Sequence, residues 1–233
     1  MLWTKSPSFI FIHIPKTGGT SVEHVLCERI IGKKWGTFSK AQADEYIVPQ
    51  DGTIYQHWKL RDYIREKRVK PDDFFTFTFV RNPWDLVISE IMYLRKYQKE
   101  FFNHKDIADS ILQLVNFSGH MWGHDFSPQV EYLTNEFGDF CIDYIGRFEH
   151  LQQHFNEVCD QLGIERTQLP MTNTSKERPH YSDYYNSDTR KLVSERFSAD
   201  IEAFGYEFNM CTRTISLPAL SSKTLSRALN SGT

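Results

Sequence analysis

Two stretches of this chain pass from an apolar, β-prone string through a short polar loop into a helical pattern. They constrain the fold more than any other feature. Residues 8–14 (SFIFIHI) form an almost continuous apolar run, as expected of a strand buried on both faces of a parallel sheet. Pro15-Lys16-Thr17-Gly18-Gly19-Thr20-Ser21 follows at once. Val22, Val25, Leu26, Arg29 and Ile30 then fall at helical spacing, so a helix is predicted to start at Thr20 or Ser21. The second stretch begins with residues 74–80 (FFTFTFV), rich in aromatic and β-branched side chains. After Arg81, Asn82 is suited to cap a helix, Pro83 to its first position and Asp85 to its first turn. Trp84, Val87, Ile88, Ile91 and Leu94 mark the apolar face of that helix.

The remaining pattern repeats this alternation. A short strand is expected within 140–148, and Leu151, Phe155, Val158, Cys159 and Leu162 form a helical stripe stopped by Gly163. Leu192, Val193, Phe197, Ile201 and Phe204 predict one last helix ending at Gly205. Residues 63–70 read as a solvated helix end, and 100–128 as helix to about Phe117 followed by an irregular stretch. Residues 165–186 read as loop, and 33–55 carry no clear period. Strands alternating with helices imply an α/β fold, with a mainly parallel central sheet flanked by helices. A single domain over 1–211 is expected, followed by a loosely held tail over 212–233.

A helix N-terminus that follows a strand presents unpaired N–H groups and partial positive charge, which makes it an anion site. In the first loop Lys16 supplies a cation, Gly18 and Gly19 let the backbone approach a ligand, and Thr17, Thr20 and Ser21 add hydroxyls. The lysine precedes the glycines, so this is not the nucleoside-triphosphatase loop GxxxxGK[ST]. At the second site Arg81 stands at the carboxyl edge of a strand, where open α/β sheets bind ligands. Ser89 lies about two helical turns on. A blander arrangement is Arg81 paired with Asp85 and Ser89 serving as a small packing residue. Two anion sites, one with lysine and one with arginine, suit a ligand with two separate phosphate-type groups.

Composition narrows the class. Twenty-seven basic residues against thirty acidic ones give a net charge of −3, which argues against a general nucleic-acid binder. Cys27, Cys141, Cys159 and Cys211 are dispersed, with no CxxC pair, so a structural zinc site is not expected and the thiols read as reduced. No apolar run approaches the roughly 20 residues that span a bilayer. The first eight residues lack the apolar stretch of a secretory signal. A cytoplasmic protein is expected; the oligomeric state is not legible.

The ordered set of motifs resembles the sulfotransferases that use 3′-phosphoadenosine 5′-phosphosulfate (PAPS). More narrowly it resembles the family-2 group of carbohydrate and heparan-sulfate sulfotransferases and their bacterial members. The matching residues are 13–21 (HIPKTGGTS), Gln56-His57, 79–85 (FVRNPWD) with Ser89, 145–149 (IGRFE), and Asn173-Thr174-Ser175 before Tyr181 and Tyr185. Trp58-Lys59-Leu60 is bulkier and more basic than the small-residue pattern of bacterial members.

The resemblance implies a P-loop-like sulfotransferase fold. It implies that Pro15, Lys16, Thr17, Gly18, Gly19, Thr20 and Ser21 hold the 5′-phosphosulfate, and Arg81 and Ser89 the 3′-phosphate. Asn173, Ser175 and Lys176 would close over the nucleotide, and PAP would be the product. Lys16 and His57 are the catalytic candidates: a cation for the leaving group, and a base that titrates near neutral pH. A small-molecule or glycan acceptor is implied, with no metal. The competing readings are a P-loop-type small-molecule kinase and a non-catalytic nucleotide-binding module.

Other polar residues read as structural. His120 and His124, four apart, would share a face only if helical. His13 reads as a core or supporting residue, His150 and His154 as solvated, and Cys27 as packing. Trp58, Tyr181, Tyr184 and Tyr185 are suited either to stacking a ring or to packing. Arg147 and Glu149 are expected to fix a strand end.

Overall fold

A computed structural model describes residues 2–35, 37, 57–67, 70–98, 106–117, 120–121, 124–170 and 178–208, the side chains at 66–67, 120–121 and 124–125 aside. The apolar run predicted as a buried strand forms β2 (Ser8–Ile12), and the second forms β3 (Phe75–Val80). They pair in parallel, Phe11 opposite Phe77 and Ile12 opposite Thr78. The strand expected within 140–148 is β6 (Tyr144–Arg147), parallel to β3 on its other side. A strand the sequence reading did not anticipate, β1 (Leu2–Lys5), closes the other edge antiparallel to β2. Its short LWTK string resembles a polar-flanked terminus more than a strand; pairing with the apolar β2 decides its conformation. The sheet order is β1-β2-β3-β6, the mostly parallel sheet expected.

Alternation divides the core between the two faces of the sheet. Phe9, Phe11, Phe77 and Phe79 face α1 (Gly19–Leu26) and α5 (Leu151–Leu162), meeting Val22, Val25, Leu26, Phe155 and Val158. Ile10, Ile12, Val80 and Ile145 face the other way, onto Leu60 and Tyr63 of α2 (Leu60–Lys67) and Phe204 of α7 (Ser198–Phe204). Tyr63 is fully buried, so the region read as a solvated helix end has one face in the core. Two buried strand hydroxyls are satisfied locally. Thr78 Oγ1 donates to the Ile12 carbonyl at 2.7 Å and Thr76 Oγ1 to Asp143 at 2.9 Å.

A third apolar cluster gathers α3 (Pro83–Tyr97), α4 (Ile107–Asn116) and α6 (Ser187–Arg196). Asn82 caps α3 by accepting the Trp84 N–H at 3.1 Å, and Pro83 opens the helix, as predicted. The single last helix is in fact two, α6 and α7, which meet at Phe197. Phe197 is buried at that break against Phe126; packing overrides the continuous period. His120 and His124 belong to a two-stranded hairpin, β4 (His120–Met121) and β5 (His124–Asp125), not to a helix. His154 is buried, and its Nδ1 accepts the Arg147 N–H at 2.8 Å, so it is no solvated histidine.

Candidate active site

The carboxyl ends of β2, β3 and β6 lie side by side, and each releases its chain into a loop at the same edge. Continuing the β2–β3 register past the strands sets Arg81 beside Pro15; continuing β3–β6 sets it beside Phe148. Arg81 therefore sits between the first loop and the start of α5 before any side-chain geometry is considered.

The first loop turns tightly. Lys16 adopts φ 63° and Gly18 φ 85°, and a lysine in the left-handed region is uncommon enough to mark a constrained backbone. Thr17, buried, donates from Oγ1 to the Ile14 carbonyl at 2.9 Å, so its hydroxyl ties the loop to itself. A Cβ on Gly18 would lie 2.6 Å from Leu151 Cδ2, and one on Gly19 would lie 2.1 Å from His13 Cδ2. Only glycine fits between α5 and the His13 ring. α1 begins at Gly19, one residue earlier than expected. Pro15 is buried beneath the loop, Thr20 is half-buried at its rim, and Ser21 donates from Oγ to the Pro170 carbonyl at 2.7 Å. Asn173, Ser175 and Lys176 lie outside the described residues.

Arg81 is buried, with its guanidinium stacked 3.9 Å from the Phe148 ring centroid. Its Nε donates to Asp85 Oδ2 at 2.8 Å, and its Nη1 donates both to Ser89 Oγ and to the Lys16 carbonyl at 2.9 Å. The ion pair with Asp85 and the contact with Ser89 thus exist together. The other oxygen of Asp85 accepts from Arg178. Burial alone would raise the Asp85 pKa, but the two guanidiniums hold it below the usual carboxylate range. The Arg81 backbone is clasped on both sides by Gln129, which accepts its N–H and donates to its carbonyl, each at 2.8 Å. Gln129 is held in turn by Asp200 of α7, which accepts its backbone N–H at 2.8 Å.

Lys16 places Nζ 3.9 Å from the ring centroid of Tyr93. Burial and the nearby Arg81 charge depress the Lys16 pKa, and Glu90 opposes them. His57 Nδ1 lies 2.9 Å from the His13 carbonyl. A carbonyl only accepts, so Nδ1 carries the proton and the neutral ring keeps its lone pair on Nε2. The His13 and His57 rings meet edge-on at 4.7 Å, and His13 Nδ1 lies 3.1 Å from Glu23 Oε1. His57 is thereby joined through His13 to Gly19 and the first loop.

The geometry thus brings together Lys16, the glycines, Arg81, Ser89 and, through His13, His57. The aromatic candidates are structural: Tyr181 is buried against Phe208, Tyr185 donates to the Trp84 carbonyl at 2.8 Å, and Trp58 packs on Tyr63. Arg147 and Glu149 anchor the strand end, Arg147 through the Phe204 carbonyl and Glu149 through the Asn82 N–H, each at 2.7 Å. Lys59 is buried, with Nζ 2.7 Å from Glu131 Oε2. Cys27 is buried in the core, and burial pushes its thiol up to about 12, so it is no nucleophile. Sequence reasoning missed Gln129, Asp200, Arg178, Glu90 and Tyr93. The last two carried a signal, since they lie on the same helix as Ser89; the others depend on distant contacts.

A family model described as the sulfotransferase family matches residues 1–207. The chain belongs to the sulfotransferase family. Within it, this sulfotransferase falls in the family-2 group. An uncharacterized protein of Archaeoglobus fulgidus (strain ATCC 49558 / DSM 4304 / JCM 9628 / NBRC 100126 / VC-16) is 26% identical over 110 residues, 46% of this chain and 81% of that protein. No solved structure matches the sulfotransferase. Among its described residues no helix is long and apolar enough to cross a membrane, and no group of three or more His, Cys, Asp or Glu is placed to hold a metal ion.

Proposed function

We propose that this sulfotransferase moves a sulfuryl group from PAPS to a hydroxyl of a carbohydrate-like acceptor, releasing PAP. The observation that carries the reading is the double role of Arg81. One guanidinium meets Ser89 at the second anion site and the Lys16 carbonyl of the first. Two anion sites bolted together at a fixed spacing suit one ligand with two anionic ends better than two independent anions. The residues fit such a nucleotide: a buried arginine fork, a lysine on the first loop, and glycines at 18 and 19, where a Cβ would strike Leu151 and His13.

When bound, PAPS supplies an activated sulfuryl group on a phosphate leaving group. The chain's own residues hold and neutralise. Arg81 and Ser89 take the 3′-phosphate, and the loop amides with Lys16 take the 5′ end. The ammonium of Lys16 offsets the negative charge that grows on the leaving oxygen. His57 receives the acceptor's hydroxyl proton on Nε2, with Nδ1–H aimed at the His13 carbonyl throughout. The domain is taken to span 1–211, with 212–233 beyond it, and the protein to work in the cytoplasm.

Calorimetric titration with PAP, paired with transfer of labelled sulfate from PAPS to saccharide and phenol acceptors in the presence of a chelator, tests the reading. Binding together with chelator-resistant transfer to a saccharide is expected. No PAP binding removes the donor assignment; binding without transfer to any acceptor leaves a nucleotide-binding module. A strict magnesium requirement favours a kinase.

A further inference from the structure

Helix α3 carries more than the partners of Arg81. Ser89, Tyr93 and Tyr97 follow one another at intervals of four on it, so they form one row along a single face. The row starts at the second proposed anion site, where Ser89 Oγ accepts from Arg81. It continues at the first, where Lys16 Nζ lies 3.9 Å from the Tyr93 ring centroid. It then runs out to solvent: Tyr93 is 38% exposed and Tyr97 54%, with their ring centroids 4.8 Å apart. Lys96, also exposed, holds Nζ 4.9 Å from the Tyr97 centroid. We propose that Tyr93 and Tyr97 form an acceptor subsite, a two-ring platform for the pyranose rings of an acidic saccharide chain, one hydroxyl of which reaches the sulfuryl group beside Lys16.

The place of the subsite follows from the reaction. An acceptor oxygen must come to the group that Lys16 holds, so the acceptor borders the Lys16 ammonium. Tyr93 is a ring on which that ammonium rests, and much of the ring is open. The class of acceptor follows from the surface. A pyranose has a flat C–H face with its polar groups at the rim, so it stacks on an aromatic face without burying a hydroxyl. Tyr93 and Tyr97 are one helical turn apart, about 6 Å along the axis, a spacing for successive rings of a chain. A small phenol needs a pocket that encloses most of its surface, which an exposed helix face does not provide. Lys16 and Lys96 set two ammonium groups along the pair, whereas Glu90, on the turn before Tyr93, is completely buried. The platform is therefore complementary to acidic groups on the chain. This assignment rests on the reading of Lys16 as the cation of the donor site and of the acceptor as a saccharide.

The test targets Tyr97, which stands clear of the donor groups. The full chain is titrated with a hexasaccharide of alternating glucuronate and N-acetylglucosamine, followed by NMR saturation transfer to the sugar protons, and separately with PAP by calorimetry. Wild type binds the hexasaccharide, Tyr97→Ala binds it about tenfold more weakly, and Tyr97→Phe stays within about twofold of wild type. All three bind PAP alike. An unweakened Tyr97→Ala, a Tyr97→Phe as weak as the alanine variant, or a wild type that does not bind the hexasaccharide overturns the proposal. So does a matching loss of PAP affinity in Tyr97→Ala, which would assign the ring to the nucleotide. Failure of the donor reading looks different: wild type then binds no PAP, while the hexasaccharide titrations still decide the platform. Sulfate transfer to p-nitrophenol by a protein that ignores the hexasaccharide keeps the donor reading and removes the platform.

Discussion

Arg81 donates through Nη1 to the backbone carbonyl of Lys16 at 2.9 Å, so the arginine of one proposed anion site is a structural member of the other. The same nitrogen reaches Ser89, while Nε holds Asp85. A lysine in its place would bring a charge but no planar fork, and could not serve loop, serine and carboxylate together. Arg81→Lys is therefore expected to weaken PAP roughly 100-fold and to lower the melting temperature. Calorimetry and thermal denaturation check both. Retained affinity at reduced stability would show that Arg81 only holds the loop.

His57 carries a different burden. Its Nδ1 lies against the His13 carbonyl and its ring meets the His13 ring, and His13 is not among the groups proposed to hold the donor. His57→Ala should lower turnover by about 10²–10⁴-fold while PAP affinity stays at the wild-type value. Turnover close to wild type would remove His57 from proton transfer. A matching loss of PAP affinity would make it part of the donor site.

How much of this was legible follows the range of the interactions. The two strand–loop–helix junctions were readable because their causes are local: apolar runs, glycines, and the Asn82 cap with Pro83 behind it. The pairing of Arg81 with Asp85 and Ser89 was legible as two competing readings, because both partners lie on the next two helical turns; the structure combines them. Gln129 and Asp200 were not legible. Nothing near position 129 or 200 announces that a side-chain amide will clasp the Arg81 backbone, since the contact exists only after α7 docks. Arg178 was hidden for the same reason. His154 was misjudged because a helical period locates a face but does not reveal which backbone N–H that face will meet.

Gly19 joins the first loop to the proposed base. A methyl group there would stand 2.1 Å from His13 Cδ2 and 2.3 Å from its Nε2, far inside van der Waals contact. The ring is fixed by Glu23 below and His57 beside it, so it cannot swing away without disturbing one of them. Gly19→Ala is expected to cost about 1–3 kcal/mol of stability, as overpacking does, and to lower turnover as well. Denaturant unfolding and a sulfate-transfer assay check the two parts. Unchanged turnover would mean that His57 does not depend on the place of His13.

Asp200 predicts a pH dependence of stability opposite to the usual carboxylate. It is fully buried, accepting the Gln129 N–H at 2.8 Å, the Val130 N–H at 2.9 Å and the Gln129 side-chain amide at 3.2 Å. Burial outweighs these hydrogen bonds and lifts its pKa from 3.8 to about 6. Between those values the unfolded chain ionises and the folded chain does not, so the contribution of Asp200 to stability is complete in acid and is lost as pH rises through about 6. Asp200→Asn cannot ionise and lacks this loss. In acid the wild-type side chain is the protonated carboxyl, whose O–H meets the same donors as the Asn N–H₂, so the replacement is close to isosteric there. The stability of Asp200→Asn relative to wild type should rise by roughly 2–3 kcal/mol between mildly acidic and neutral pH. Asp85, held low by two guanidiniums, loses its own contribution in acid, but it does so in both proteins and cancels from the difference. Urea unfolding at several pH values measures that difference. A difference that stays constant, or that turns against Asp200→Asn as pH rises, would mean that the carboxylate of Asp200 is already charged throughout, and that its hydrogen bonds to Gln129 and Val130 outweigh its burial.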